Sequence, residues 1–147
     1  MDTLKTRKIL LVEDNEGDSK LFEEAISIND LSIDLEIIAE GDKAMQYFEL
    51  LKTKDKIEYP NLIVLDLNLP KVNGKTILKL IKESPDLRSI PTIILTTSNL
   101  SYDIDECYAL GANAYLPKSF EIEKFFQIIQ LVDQFWFRNS LLPSNNV

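Results

Sequence analysis

The sequence predicts an α/β protein, a doubly wound five-stranded parallel sheet with five helices covering its two faces. Three observations carry this. Short aliphatic runs alternate along the chain with longer stretches whose apolar residues recur at helical spacing. Runs such as "ILLV" at 9–12 and "LIVL" at 62–65 are continuous rather than alternating, which suits strands buried on both faces. Strands and helices in this rhythm pair in parallel through right-handed crossovers.

The elements follow in order. Ile9 to Val12 is the first strand. Glu16 to Ile28 is a helix, with Leu21, Phe22, Ala25 and Ile28 on one face. Leu35 to Ala39 is a second, weaker strand, because Asp34 and Glu36 flank or enter it. Gly41 to Thr53 is a helix carrying Ala44, Met45, Phe48 and Leu51. Pro60 and Asn61 lead into the third strand, Leu62 to Leu65. Lys75 to Glu83 is a helix stopped by Ser84 and Pro85. Pro91 precedes the fourth strand, Thr92 to Leu95. Ser101 to Leu110 is a helix, and Gly111 suits its C-terminal cap. Ala114 to Leu116 is a short fifth strand, and Glu121 to Phe137 a long last helix. The division is a tail at 1–6, one domain over 7–138 and a second tail at 139–147, with no interdomain linker or repeat.

Composition narrows the chemistry. The 147 residues form one domain, and the net charge of -8 makes nucleic acid and anionic membrane poor partners. Histidine is absent, which removes Ser-His-Asp catalysis, imidazole metal ligands and histidine general bases. Cys107 is the single cysteine, so no internal disulfide forms. It lies at core spacing with Ile104 and reads as buried. No apolar run approaches membrane-spanning length, and the N-terminus lacks a signal peptide's apolar core, so the cytoplasm is expected.

In doubly wound sheets the site lies beyond the carboxyl ends of the strands. Here those ends carry Glu13 and Asp14, then Asp66, then Thr96, Thr97 and Ser98, then Lys118. Each alone has a plain reading: a helix N-terminal acid, an Asx turn, the end of a β-branched strand, a solvated lysine. Together they do not. Clustered carboxylates require counter-charge, and an oxygen-only donor set points to Mg²⁺ or a similar hard cation. Mg²⁺ favours a few carboxylates completed by water and phosphate oxygens, so the missing partner is a phosphoryl group, with Asp66 as its nucleophile.

The segments "LLVEDN", "VLDLNLPKVNG", "ILTTS" and "GANAYLPKS" resemble, in order and spacing, the receiver domain of two-component response regulators over about Lys8 to Phe137. That resemblance implies a flavodoxin-like fold with strand order 2-1-3-4-5. It implies that Asp66 is the phosphoacceptor and that Glu13, Asp14, Asp66 and the backbone carbonyl of Asn68 hold Mg²⁺. By the same resemblance Thr96 and Lys118 contact the phosphoryl group, Tyr115 is the switch aromatic, and Pro70 and Gly74 shape the loop. One departure stands out: Lys118 is followed by Ser119, where most receivers have proline. The expectation is a trans bond with an altered loop or a cis bond under strain. The "DLNLPK", "LTTS" and "KS" combination is similar to the single-domain regulators associated with bacterial phytochromes.

The last helix carries more apolar surface than one core contact needs. Ile122, Phe125, Phe126, Ile129, Val132 and Trp136 form the inner face, interrupted by Asp133. Ile128, Leu131 and Phe135 form a neighbouring arc, read as a homodimer face; the plainer reading is a helix buried deeper by the tail or the fourth helix. Asp2, Asp103 and Asp105 read as solvated surface. The function expected is a stand-alone acceptor of a phosphoryl group from a sensor histidine kinase, of phytochrome type by the narrower similarity, and not an enzyme beyond slow self-dephosphorylation. Its output is protein contact or relay to a further phosphotransfer protein. A Mg²⁺-dependent phosphohydrolase is the alternative, disfavoured by Asn68 in place of a second acid and by the lack of a cap segment. A phosphorylation-independent docking module is disfavoured by intact Asp66 and Lys118.

Overall fold

The computed structural model describes residues 6–29 and 31–143. Most of the two expected tails, and Asp2, lie outside the described residues. The elements run β1 (Arg7–Val12), α1 (Glu16–Ile28), β2 (Ile33–Ile38), α2 (Gly41–Leu51), β3 (Leu62–Leu65), α3 (Gly74–Glu83), β4 (Thr92–Thr96), α4 (Ser101–Leu110), β5 (Ala114–Pro117) and α5 (Ile122–Val132). All pairings are parallel, in the order β2-β1-β3-β4-β5. The reversal of order lies between β1 and β3, whose tips carry the acids.

Side-chain alternation on the strands separates two cores. Leu10, Val12, Ile63, Leu65 and Ile94 pack with α2, α3 and α4 through Phe48, Ile77 and Cys107. Ile9, Leu11, Leu62, Val64, Ile93 and Leu95 face α1 and α5 through Phe22, Phe125 and Ile129. Burying both faces is why the central strands read as unbroken aliphatic runs. β2 departs from that reading. It starts two residues earlier than expected and alternates, with Asp34 and Glu36 exposed between half-buried Ile33, Leu35 and Ile37. It is an edge strand, and outward charge on such a strand blocks further pairing.

The last helix is a second correction. Regular α-helix stops at Val132, and Asp133–Asn139 continues as a wider π-helical turn. Asp133 is buried, and the wider winding brings Arg138 Nε to 2.6 Å from its carboxylate. The Ser140 N–H donates to the Phe135 carbonyl five residues back at 2.7 Å, and the Asn139 side chain donates through Nδ2 to the Gln134 carbonyl at 2.7 Å. Ile122, expected on the inner face, is exposed. It opens the helix at the carboxyl edge, where the strands end, so Phe125 is the first residue to reach the sheet core.

The β3–α3 loop is unusually tight. Val72 donates to the Pro70 carbonyl at 2.8 Å, closing a γ-turn with Lys71 at φ 70°. Gly74 opens α3 against the backbone of β3, and its N–H bonds the Leu67 carbonyl at 3.0 Å. A Cβ there would collide with the Asp66 carbonyl oxygen and the Leu67 Cα. Gly74→Ala should therefore push α3 off β3 and cost about 1–3 kcal/mol of stability. Urea denaturation is the check, and an unchanged midpoint would show that the loop yields freely.

Candidate functional site at the carboxyl edge of the sheet

Hydrogen bonds of the sheet ladder carry past the strand ends and pin the acidic residues. Glu13 donates its N–H to the Ile38 carbonyl at 3.0 Å, and Asp66 donates to that of Val12 at 3.1 Å. Lys118 donates its N–H to the Thr96 carbonyl at 2.8 Å. Rigid strand tips hold these side chains to a fixed geometry, which loops would not.

The side chains converge. Oxygens of Glu13, Asp14 and Asp66 lie within 4.8 Å of one another. Glu13 is 2% exposed and Asp66 4%, whereas Asp14 faces solvent. Lys118 Nζ sits 2.6 Å from Glu13 Oε1, 2.9 Å from Asp66 Oδ2 and 2.8 Å from Asp18 Oδ2. Burial alone would pull the Lys118 ammonium down, but the hydrogen bonds it donates to Asp18, Glu13 and Asp66 outweigh burial and hold it above the ordinary lysine value. Burial lifts Glu13 to about 7; the Lys118 hydrogen bond opposes this, and the charge of Asp66 adds to it.

The donors are hard oxygens, and the exposed Asp14 leaves a face for water. They fit a divalent cation. Thr96 is fully buried, and its Oγ1 accepts from Asn68 Nδ2 at 3.4 Å. The Asn68 N–H donates to Asp66 Oδ1 at 3.2 Å, which orients the carboxylate. The Lys118–Ser119 bond is trans; the described residues contain no cis peptide. Lys118 reaches the site all the same, and Ser119 Oγ accepts from the Glu121 N–H at 3.0 Å.

Sequence reasoning missed two features. Asp18, four residues after Asp14, joins the site from the first turn of α1; the spacing from the acidic pair was the available signal. Asp103, expected as solvated surface, is half-buried and central to a network. It takes Lys75 Nζ at 2.6 Å and Ser98 Oγ at 2.5 Å, and Lys75 also reaches Glu106 at 2.6 Å. Tyr115 Oη donates to the Ser98 carbonyl at 3.0 Å, so the tyrosine rests on the β4–α4 loop. Thr97 is exposed and takes no part. In the α5 arc, Leu131 and Phe135 are exposed and Ile128 half-buried.

Comparison with known proteins agrees with this geometry. The family described as response regulator receiver domain matches residues 9–130. Response regulator Rcp1 of Synechocystis sp. is 39% identical over 136 residues, 92% of each chain. A crystal structure of the Mn(2+)-bound form of Rcp1 superposes with a TM-score of 0.84 at 38% identity, covering 94% of this chain and 99% of that one. The phosphorylated cyanobacterial phytochrome response regulator RcpA gives a TM-score of 0.85 at 37% identity, covering 95% and 100%. The bacteriophytochrome response regulator RtBRR gives 0.70 at 34% identity, covering 97% and 85%.

Any cation entering the site competes with the proton that Glu13 retains up to about pH 7. Below that pH the proton must leave before the carboxylate can serve; above it no proton is displaced. Divalent affinity should therefore rise several-fold from about pH 6 to about pH 8 and then level off. Calorimetric titration across that range checks it, and a flat affinity would mean Glu13 is already ionised.

Proposed function

The chain belongs to the response regulator receiver family, and from that premise we propose that Asp66 accepts the phosphoryl group, with Mg²⁺ as the cation. One observation carries the assignment. Glu13 and Asp66 both lie within the acidic triad and against Lys118, and of the two it is Asp66, at 2.9 Å from Lys118, that Asn68 orients through its N–H while the Asn68 side-chain amide reaches the Thr96 hydroxyl. In the transfer an Asp66 oxygen forms the new O–P bond. The donor's P–N bond breaks, and its electron pair leaves on the kinase histidine. Bound Mg²⁺ would supply positive charge to the phosphoryl oxygens. Lys118 and the Thr96 hydroxyl are the chain's own groups for those oxygens. Asn68, rather than a second acid, stands two residues after Asp66, which supports an acceptor with slow self-dephosphorylation over a hydrolase.

The kinase is expected to be of phytochrome type, a reading supported by the likeness to Rcp1, RcpA and RtBRR. The cytoplasm is the proposed location, consistent with the lack, among the described residues, of a helix long and apolar enough to cross a membrane. Output runs through protein contacts, either a further phosphotransfer protein or a second copy. A shallow groove of about 310 Å³ lined by Leu116, Ile128, Leu131, Val132, Phe135 and Trp136 supports the second copy. Two-fold pairing would bury the exposed Leu131 and Phe135 on both chains.

Asp66→Asn should abolish labelling by acetyl phosphate and Mg²⁺ in intact-mass measurement; full labelling would move the acceptor elsewhere. Phe135→Asp should abolish a resting dimer that phosphorylation strengthens. Sedimentation velocity with and without a phosphoryl mimic reads this, and a variant that dimerises like wild type would exclude the α5 face.

A further inference from the structure

We propose that Asp18 is a positioning residue for phosphoryl transfer, holding the Lys118 ammonium at the site from the first turn of α1. The inference rests on the phosphoacceptor reading of Asp66. An ammonium has three N–H donors. Lys118 reaches three carboxylates, Glu13 at 2.6 Å, Asp18 at 2.8 Å and Asp66 at 2.9 Å. Glu13 and Asp66 also belong to the cation-binding triad; Asp18 does not. A cation draws on both of those carboxylates, and once the O–P bond forms Asp66 loses its carboxylate charge. Asp18 is the partner that persists through each stage.

The length of the Lys118 side chain is the reason for an anchor. A lysine stem has several rotatable bonds whose freedom must be suppressed for the ammonium to stay aimed. Ser119 spends its hydroxyl on the Glu121 N–H at the start of α5. Asp18 is itself held firmly: Asn15 Oδ1 caps α1 by accepting the Asp18 N–H at 2.9 Å, and the Ser19 N–H bonds the Asn15 carbonyl at 3.0 Å. The ion pair thereby ties the β5–α5 loop to α1 across the site. An acid that merely favours the N-terminus of α1 would act on stability and leave chemistry alone.

The test measures phosphorylation by acetyl phosphate at saturating donor and Mg²⁺, read by intact mass. The chains are wild type, Asp18→Asn, Asp18→Glu, Lys118→Ala and the double variant Asp18→Asn/Lys118→Ala. Loss of aim should slow Asp18→Asn by about tenfold, and Asp18→Glu should recover much of the rate. If Asp18 acts through Lys118, adding Asp18→Asn to Lys118→Ala should cost less than about twofold more. Calorimetry should show Mg²⁺ affinity changing far less than the rate. An unchanged or faster Asp18→Asn overturns the proposal, as does an equal loss in the Lys118→Ala background or a loss of Mg²⁺ affinity matching the loss of rate. Labelled wild type with an unaffected Asp18→Asn sinks this inference alone; unlabelled wild type sinks the phosphoacceptor reading with it.

Discussion

The structure depends on one buried ammonium. Glu13 and Asp66 stand at adjacent strand tips with almost no access to water. Two carboxylates so placed cannot both ionise cheaply, and Lys118 lies between them with its side chain 7% exposed. Its charge lets the acids remain close enough to form a cation site, and its stem ties β5 to β1 and β3. The arrangement is balanced without being neutral: burial still lifts Glu13 toward neutrality. Surplus negative charge in a site of oxygen donors favours a divalent cation.

From that point a continuous set of contacts leads away from the chemistry. Asn68 joins the Asp66 loop to Thr96 at the tip of β4. Two residues on, Ser98 carries both the Tyr115 hydroxyl, through its carbonyl, and Asp103, through its own hydroxyl. Asp103 and Glu106 then clamp Lys75, whose ammonium also lies 4.6 Å from the centre of the Tyr102 ring. α3, α4, the β4–α4 loop and β5 thus share one polar network. Only Thr97 separates Thr96 from Ser98, so the tip of β4 and the contacts of Ser98 with Tyr115 and Asp103 are mechanically joined.

The last helix serves two surfaces at once. Phe125, Ile129 and Val132 complete the core over β1, β3 and β4, while Leu131 and Phe135 remain in water. The π-helical turn lets this happen around a buried acid, because Arg138 reaches Asp133 and neutralises it. Trp136 meets the Phe135 ring edge-on at 5.0 Å, stiffening the exposed end of the arc.

The sequence alone determined what local and periodic rules govern. Unbroken aliphatic runs marked β1, β3 and β4, helical spacing marked α1 to α4, and Gly111 marked the end of α4, where its φ is 109°. The acids, hydroxyls and lysine were legible because parallel strands deliver their carboxyl ends to one edge. Tertiary structure alone decided the rest. Whether β2 alternates depends on having no neighbour on its outer side. Whether α5 stays regular depends on what surrounds Asp133 once it is buried. Asp18 and Asp103 look like surface acids in the chain and become partners only because Lys118 and Lys75 arrive from 100 and 28 residues away. Spacing along a chain encodes hydrogen bonds within an element, whereas a charge pair between elements exists only after packing has brought them together and removed the water between them.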